Sequence, residues 1–333
     1  MELPLQMEDL PCPLGCVKSD HFVLTGRDML HGLPGDFTVV KCSTCGLMRT
    51  NPRPAPAGMG FYYPDNYGPY IGTQIDNTVS SGLRSIIKNS LRPIVNWIFD
   101  SKAFALPSIP PGRLLEVGCA SGSFLNRMAK KGWHVEGIEY SEKAALAASQ
   151  FGYKVHVGAL ETAPAPSAAI DLIVAWMVLE HLHDPIRCLK KLSDWANSAA
   201  WLVLSVPNAN SLEFQIFKEK WYALQLPTHL THFTPQTLAK VLEAGGWKVE
   251  KVHHQVSAAN FFASVAYVLD EKGWPKLGKW ICNFAWPRGI WFYVLYPISW
   301  VLSVFGQTGR MTVWARKQSD VDAPAVQVRP PVL

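Results

Sequence analysis

Three features of the sequence predict an α/β fold, with a parallel sheet covered by helices on both faces. Between residues 112 and 255, short apolar runs alternate with amphipathic, capped segments, the order that buries a sheet between two helical layers. The first of these runs, "LLEVGCASGSFL", leaves a buried strand at Glu116 and passes through small residues from Gly118 to Gly122. Hydrophobic residues make up 48% of the 333 residues and charged ones only 17%, which allows a substantial core.

The elements follow in order. Residues 113–117 form the first strand and 124–131 a helix. "HVEGIEY" is the second strand, and Ser141 caps the helix "SEKAALAASQFG". "KVHVGAL" and "IDLIVAWMVL" are strands three and four, and "PIRCLKKLSDWAN" opens as a helix on its proline. "AAWLVLSVP" is the fifth strand, "TPQTLAKVLEAGG" a helix closed by glycine, "WKVEKVHHQ" the sixth strand and "GRMTVWARK" the last. The core thus covers residues 112–257 and is completed by a strand at 310–317.

Four further segments surround that core. Residues 1–68 hold "CPLGC" at Cys12 and Cys16 and "KCSTCGL" at Cys42 and Cys45, separated by a β-like stretch. Two thiol pairs at this spacing suit a tetrahedral Zn²⁺ of structural type, and Gly46 permits the tight turn after the last cysteine. The Pro-, Gly- and Tyr-rich stretch that follows carries Phe61, Tyr62, Tyr63, Tyr67 and Tyr70, which pack the ribbon on the next domain or cover a pocket. Residues 69–111 are a helical linker or lid. Within 79–105, Leu83, Ile86, Ile87, Leu91, Ile94, Val95 and Ile98 give an amphipathic helix interrupted near Pro93. Residues 258–309 are an apolar helical insertion, and 318–333 a disordered tail.

Bulk properties narrow the function. The formal charge of +5 comes from scattered Lys and Arg rather than a cluster, which argues against a nucleic-acid surface. The start, "MELPLQMEDLPCPLGC", has no apolar run fit for a signal peptide. Together with paired cysteines in an odd total of 7, this points to reduced thiols and a cytoplasmic protein.

Three ligands compete for the glycine loop. A nucleoside-triphosphate loop needs lysine then Ser or Thr after its last glycine, whereas Gly122 is followed by Ser123 and Phe124. A dinucleotide fingerprint begins with glycine; here the first position is Glu116, which repels a pyrophosphate and welcomes an ammonium group. Glu139 ends the second strand, 23 residues after Glu116, where an acid accepts hydrogen bonds from ribose hydroxyls. A ligand with a cationic amino end and a ribose fits best.

At this point "LLEVGCASGSFL", "VEGIEYS" and "DLIVAWMVLEHLHDP" resemble class I S-adenosylmethionine-dependent methyltransferases, in the small-molecule branch that includes ubiquinone-type O-methyltransferases. The resemblance covers residues 112–257 and implies a Rossmann-like seven-stranded sheet. The ribbon with "NPRP" and "YYPDNY" is similar to an N-terminal extension found in a subset of that branch. By resemblance, Glu116, Gly118, Cys119 and Gly122 surround the methionine moiety, Glu139 binds the ribose, and Ala120 and Tyr140 belong to the same cofactor-binding set. Leu160 flanks the adenine, and Trp176 and Met177 line the cofactor near its sulfonium. Ala159 stands where the family often has an acid, a role that falls to Glu161, and Cys119 replaces a common glycine.

Methyl transfer to a hydroxyl gains from a general base. "EHLHDP" offers Glu180, His181, His183 and Asp184, and "LPTHLTHFT" offers His229 and His232 near Trp221 and Tyr222. His181, His232 and His229 are the candidates, His181 standing equally as a structural anchor. An Asn-Pro-Pro-Tyr stretch, expected for amino-group methylation, is absent. In the insertion, residues 289–306 carry no acid and no lysine and would span about 27 Å as a helix. The last strand must return to the sheet, so one complete crossing is excluded. A helical hairpin at the inner face of a membrane, or over an apolar acceptor pocket, stands beside a buried or dimer-forming helix pair. Trp291, Tyr293, Tyr296 and Trp300 suit an interface, and Lys272, Lys276, Lys279 and Arg288 suit anionic headgroups. The expected activity is methylation of a hydroxyl, or a carbon, of a small or lipid-linked acceptor. The alternatives are an RNA methyltransferase gripping RNA with its zinc ribbon, and a non-catalytic, membrane-associated scaffold that binds S-adenosylmethionine.

Overall fold

The computed structural model describes residues 6–64, 102–284 and 290–318. Tyr67, Tyr70, Arg288, the tail and nearly all of the helix expected over 79–105 lie outside these residues, as does the side chain of Trp291. Residues 102–105 form a turn, not a helix end, tied to the core by Thr312 Oγ1 and Trp314 Nε1, which donate to the carbonyls of Ala103 and Ala105 at 3.1 and 2.9 Å.

The N-terminal module contains β1 (Met7–Glu8), β2 (Asp20–Arg27), β3 (Asp36–Cys42), β4 (Met48–Thr50) and β5 (Arg53–Pro54), then the short helix α1 (Pro56–Met59). β2 and β3 are a long antiparallel hairpin, with β4 on the far side of β3. Arg49 clamps this module internally through two bonds to Asp20 at 2.9 and 2.7 Å, a bidentate geometry that fixes both groups. The fourth strand of this sheet comes from the core: β11 (Thr231–His232) pairs antiparallel with β4, Thr231 opposite Arg49 and His232 opposite Met48.

The core strands are β6 (Arg113–Val117), β7 (His134–Glu139), β8 (Lys154–Val157), β9 (Ile170–Trp176), β10 (Ala196–Pro207), β12 (Trp247–His254) and β13 (Arg310–Lys317). They form the expected seven-stranded sheet in the order β12-β13-β10-β9-β6-β7-β8. It is parallel except for β13, antiparallel to both neighbours. The expectation of an all-parallel arrangement thus stops at the last strand, which re-enters from the opposite end after the insertion. The fourth strand ends at Trp176, earlier than expected, because Met177 takes a left-handed backbone (φ 57) and residues 179–181 turn as a 3-10 helix.

Helices α2 (Ser123–Ala129), α3 (Glu142–Ser149), α4 (Pro185–Trp195), α5 (Leu212–Phe217) and α6 (Pro235–Ala244) connect these strands. Ser141 caps α3 by accepting from Ala144 N, and Thr234 with Thr237 makes a capping box on α6. Alternation along β6 sorts its side chains between two layers. Leu115 and Val117 face the core with Leu189, Leu238 and Trp247, whereas Leu114 faces Phe124, Leu125 and Met128 of α2. Glu116 shares the α2 face by the same alternation. Among the described residues the insertion holds three helices, α7 (Ala259–Glu271), α8 (Pro275–Phe284) and α9 (Ile290–Val304), rather than the two of a hairpin. No helix among the described residues is long and apolar enough to cross a membrane.

Trp247 is fully buried and its Nε1 donates to Leu189 O at 3.0 Å, joining β12 to α4. Trp247→Ala is expected to cost about 3–5 kcal/mol of unfolding free energy. Urea denaturation with an unchanged midpoint would contradict this packing.

Candidate active site

Above the carboxyl ends of β6, β7 and β9 lies a cavity of about 460 Å³, within the range of small-molecule sites. On one side Val117, Gly118, Ile138, Glu139, Tyr140 and Leu160 line it, all from the first three strands and the loops that follow them. The opposite side brings Val178, His181 and Leu182 from the turn after β9 together with Pro56, Met59 and Tyr63 of the N-terminal module.

The loop after β6 is built to come close. Gly118 has φ +72, and a Cβ there would sit 2.6 Å from Val178 Cγ2, so any larger residue would close this part of the cavity. Glu139 holds the loop: Oε2 accepts from Ala120 N and Oε1 from Ser141 N, both at 2.8 Å. A third backbone bond, from the Tyr140 N–H, leaves the carboxylate one further lone-pair site. Burial raises the Glu139 pKa, opposed by those backbone N–H groups.

Glu116 lies on the other side of the strand tip. Its Oε2 is buried and has no partner among the described residues, and its pKa stands well above the ordinary value because of burial. Arg127 opposes that shift electrostatically while its guanidinium stacks on Phe104 and Phe124, 5.0 and 4.8 Å from the ring centroids. Trp176 completes this aromatic group, 5.0 Å from Phe104, and its buried Nε1 is likewise without a partner.

The histidines form a second cluster. His181 Nδ1 lies 2.9 Å from Thr228 O and 2.9 Å from Tyr63 Oη. A carbonyl oxygen only accepts, so Nδ1 carries the proton and Nε2 keeps the lone pair. His229 Nδ1 donates to Ala223 O at 2.9 Å by the same reasoning, and the two rings meet edge-on at 4.6 Å. Burial lowers the pKa of His181 and of His232 to about 4, and holds that of His229 well below its ordinary value. All three are neutral at pH 7. Glu180 converges on His181 and His229, with one ligand atom of each within 4.8 Å of the others. Both Glu180 carboxyl oxygens are buried without a hydrogen-bond partner among the described residues, and burial pushes its pKa up to about 8.

The methyltransferase domain family matches residues 96–252. The chain carries a class I S-adenosylmethionine-dependent methyltransferase domain. Ubiquinone biosynthesis O-methyltransferase of Hahella chejuensis is 30% identical to it over 114 residues, 32% of this chain and 48% of that one. The same-named protein of Bordetella avium is 31% identical over 134 residues, 38% and 55% of the two chains. The chain therefore spans about half the length of these curated relatives. A solved S-adenosylmethionine-dependent methyltransferase of Mesorhizobium loti superposes at TM-score 0.44 and 16% identity, covering 71% of this chain and 100% of that one.

Within the methyltransferase domain, the residues expected from sequence fall into two groups. Gly118, Glu139, Tyr140, Leu160 and His181 line the cavity together, with Ala159 and Glu161. Glu116 and Trp176 flank the strand tips on the α2 side, and Cys119, Ala120 and Gly122 shape the turn without lining the cavity. Cys119 is 3% exposed, its thiol packed where a Gly137 side chain would be, which fits the packing role expected of it. Met177 also lies off the cavity, its N–H donating to Ser205 O at 2.9 Å. His229 and His232 stand behind the wall: neither lines the cavity, and His232 Nε2 is 3.2 Å from Thr50 Oγ1. Sequence reasoning missed Pro56 and Met59 as cavity residues, because nothing local in "RPAPAGMG" marks a site 120 residues before His181.

The four cysteines of the N-terminal module converge as expected. One sulfur of each lies within 4.8 Å of the others, and Cys12 and Cys45 are 3.5 Å apart. Thiolates around a tetrahedral zinc at about 2.3 Å stand roughly 3.8 Å apart, so the donor set fits such an ion. Gly46 adopts φ +81 and donates to Cys42 O at 2.9 Å, closing the expected turn.

Glu180 has a testable signature. Its folded pKa, about 8, exceeds the ordinary value of 4.5, so the folded state binds this proton more tightly than the unfolded one. That stabilisation is complete below the unfolded value and is lost as pH rises through the folded value. Wild type is therefore expected to lose about 3 kcal/mol relative to Glu180→Gln between about pH 5 and pH 8. Denaturation curves with a pH-independent difference would refute the raised pKa.

Proposed function

We propose that the protein transfers a methyl group from S-adenosylmethionine to a hydroxyl, or a carbon, of a small or lipid-linked acceptor. The observation that carries this reading is the placing of two buried carboxyl groups at neighbouring strand tips, Glu139 on the cavity and Glu116 with an oxygen left without a partner. Glu139 would accept from a ribose hydroxyl on its remaining lone-pair site, and Leu160 would pack on the adenine. Glu116 would receive the ammonium end, which favours its charged form. When bound, S-adenosylmethionine supplies an electrophilic methyl group on a sulfonium sulfur.

The remaining task of the protein is to orient an acceptor and exclude water. Pro56, Met59, Val178 and Leu182 give the acceptor side of the cavity an apolar lining, which supports an apolar acceptor. His181 is the one histidine of the proposed three that reaches this space, and its Nε2 lone pair would take the acceptor proton. Thr228 O and Tyr63 Oη hold the ring by its other nitrogen. His229 and His232 would serve as supports for the loop behind it. The four cysteines would hold a structural Zn²⁺, all four positions taken by sulfur.

Calorimetry with S-adenosylhomocysteine is expected to show binding by the wild type, with at least a tenfold loss in Glu139→Ala and in Glu116→Gln. A folded wild type that gives no heat would remove the reading. With labelled methyl donor and fractionated cell extract, His181→Asn is expected to lose about 10²–10⁴-fold in turnover while keeping cofactor affinity. Elemental analysis should find one zinc per chain, and Cys42→Ser with Cys45→Ser should abolish it. A metal-free wild type of unchanged stability would exclude the zinc.

A further inference from the structure

The insertion carries its polarity the wrong way round for a helix packed on a protein core. α9 has no ionisable group other than tyrosine. Of its described side chains the buried one is a serine, Ser299, 5% exposed, whereas Ile298 beside it is 63% exposed and Phe305, just past the helix end, 72%. Val294, Ile298, Val301 and Phe305 follow one another at spacings of four, three and four residues, which sets them on one face. A face this apolar and this exposed needs a cover.

Length and topology exclude a crossing. Fifteen residues make a helix of about 22 Å, short of a hydrocarbon core of about 30 Å. The chain must also return six residues later as β13, in the middle of the sheet. Charge then selects among covers. No Asp or Glu occurs from Lys272 to Gly309, while Lys272, Lys276 and Lys279 lie exposed around the exposed Trp274 and Leu277. A second copy joined through the lysine-bearing stretch would set like charges face to face, and lysine is depleted in such interfaces. A bilayer with anionic headgroups complements both features, taking aliphatic and Trp side chains at its boundary and lysines at its surface.

We propose that α8 and α9 seat the protein on the surface of an anionic membrane, without spanning it. The inference stands apart from the methyl-transfer reading, since it uses none of the cavity residues.

The test is flotation of the full chain with vesicles of phosphatidylcholine, alone or with a third of phosphatidylglycerol. The wild type is expected to float with the anionic vesicles and to be released by salt. Replacing Lys272, Lys276 and Lys279 by Gln should weaken that binding about a hundredfold, near fivefold for each lysine. The triple variant Ile298→Ser, Val301→Ser, Phe305→Ser should lose it altogether. These positions are exposed, and both variants should keep their circular dichroism and their heat with S-adenosylhomocysteine. A wild type that stays with the lipid-free protein, or variants that float as it does, would overturn the proposal. So would light scattering that shows a dimer, broken by the serine substitutions, in a protein that ignores vesicles. A chain that floats but gives no heat with the nucleoside would sink the methyl-transfer reading and leave this one standing.

Discussion

The short antiparallel join between β4 and β11 is the constraint on which the rest of the site depends. Two residue pairs hold it, with Thr50 N donating to Leu230 O at 3.0 Å and Thr50 Oγ1 to His229 O at 2.8 Å. Through it the loop from Thr228 to His232 belongs to the N-terminal sheet and to the core at once. The carbonyl of Thr228 fixes the His181 ring, and His183 Nε2 adds a bond to Pro54 O at 3.2 Å. With the two modules joined this way, Pro56, Met59 and Tyr63 become the second wall of a cavity whose first wall is the sheet. The four-cysteine turn sits two residues from β4, the strand that pairs with the histidine loop.

The second theme is ionisable groups kept in an apolar interior. Leaving a carboxylate or imidazolium there unpaired is costly, and the groups respond by becoming neutral. Burial raises the pKa of Glu116 and Glu180 and lowers that of His181, His229 and His232. The result is an arrangement of opposite character on the two sides of the strand tips. One side offers a buried acid whose ionised form an incoming cation would favour, and the other an imidazole that burial keeps neutral. The same low dielectric that makes these groups expensive to charge strengthens whatever ligand contact restores the charge. Arg127, held by two aromatic rings beside Glu116, tempers the shift without cancelling it.

Periodicity and end signals made most of the core legible. Each strand expected between residues 113 and 255 is present, and so are the helices begun by Ser141, Pro185 and Pro235. Signals that act over one turn are local by nature, so Ser141 caps α3 whatever surrounds it. The fourth strand ran shorter than its apolar run because the left-handed turn at Met177 answers to the cavity, not to hydrophobicity. The insertion misled in the same way: an uncharged run fixes burial or exposure to apolar surroundings, but not how many helices it breaks into.

What the sequence determined by itself was everything carried by neighbours in the chain: the sheet, the Glu116–Gly118 turn, the acid at the end of β7 and the paired thiols. Tertiary structure alone decided which of three histidines meets the cavity. Of His181, His229 and His232 only the first lines the cavity: β11 sets His232 beside Thr50 of the N-terminal module, and His229 is tied to Ala223 O behind the His181 ring. It alone placed Met59 opposite Leu160, and it reversed the last strand. These outcomes depend on pairings between segments separated by about a hundred residues or more, and no local preference encodes which distant strand a residue will face.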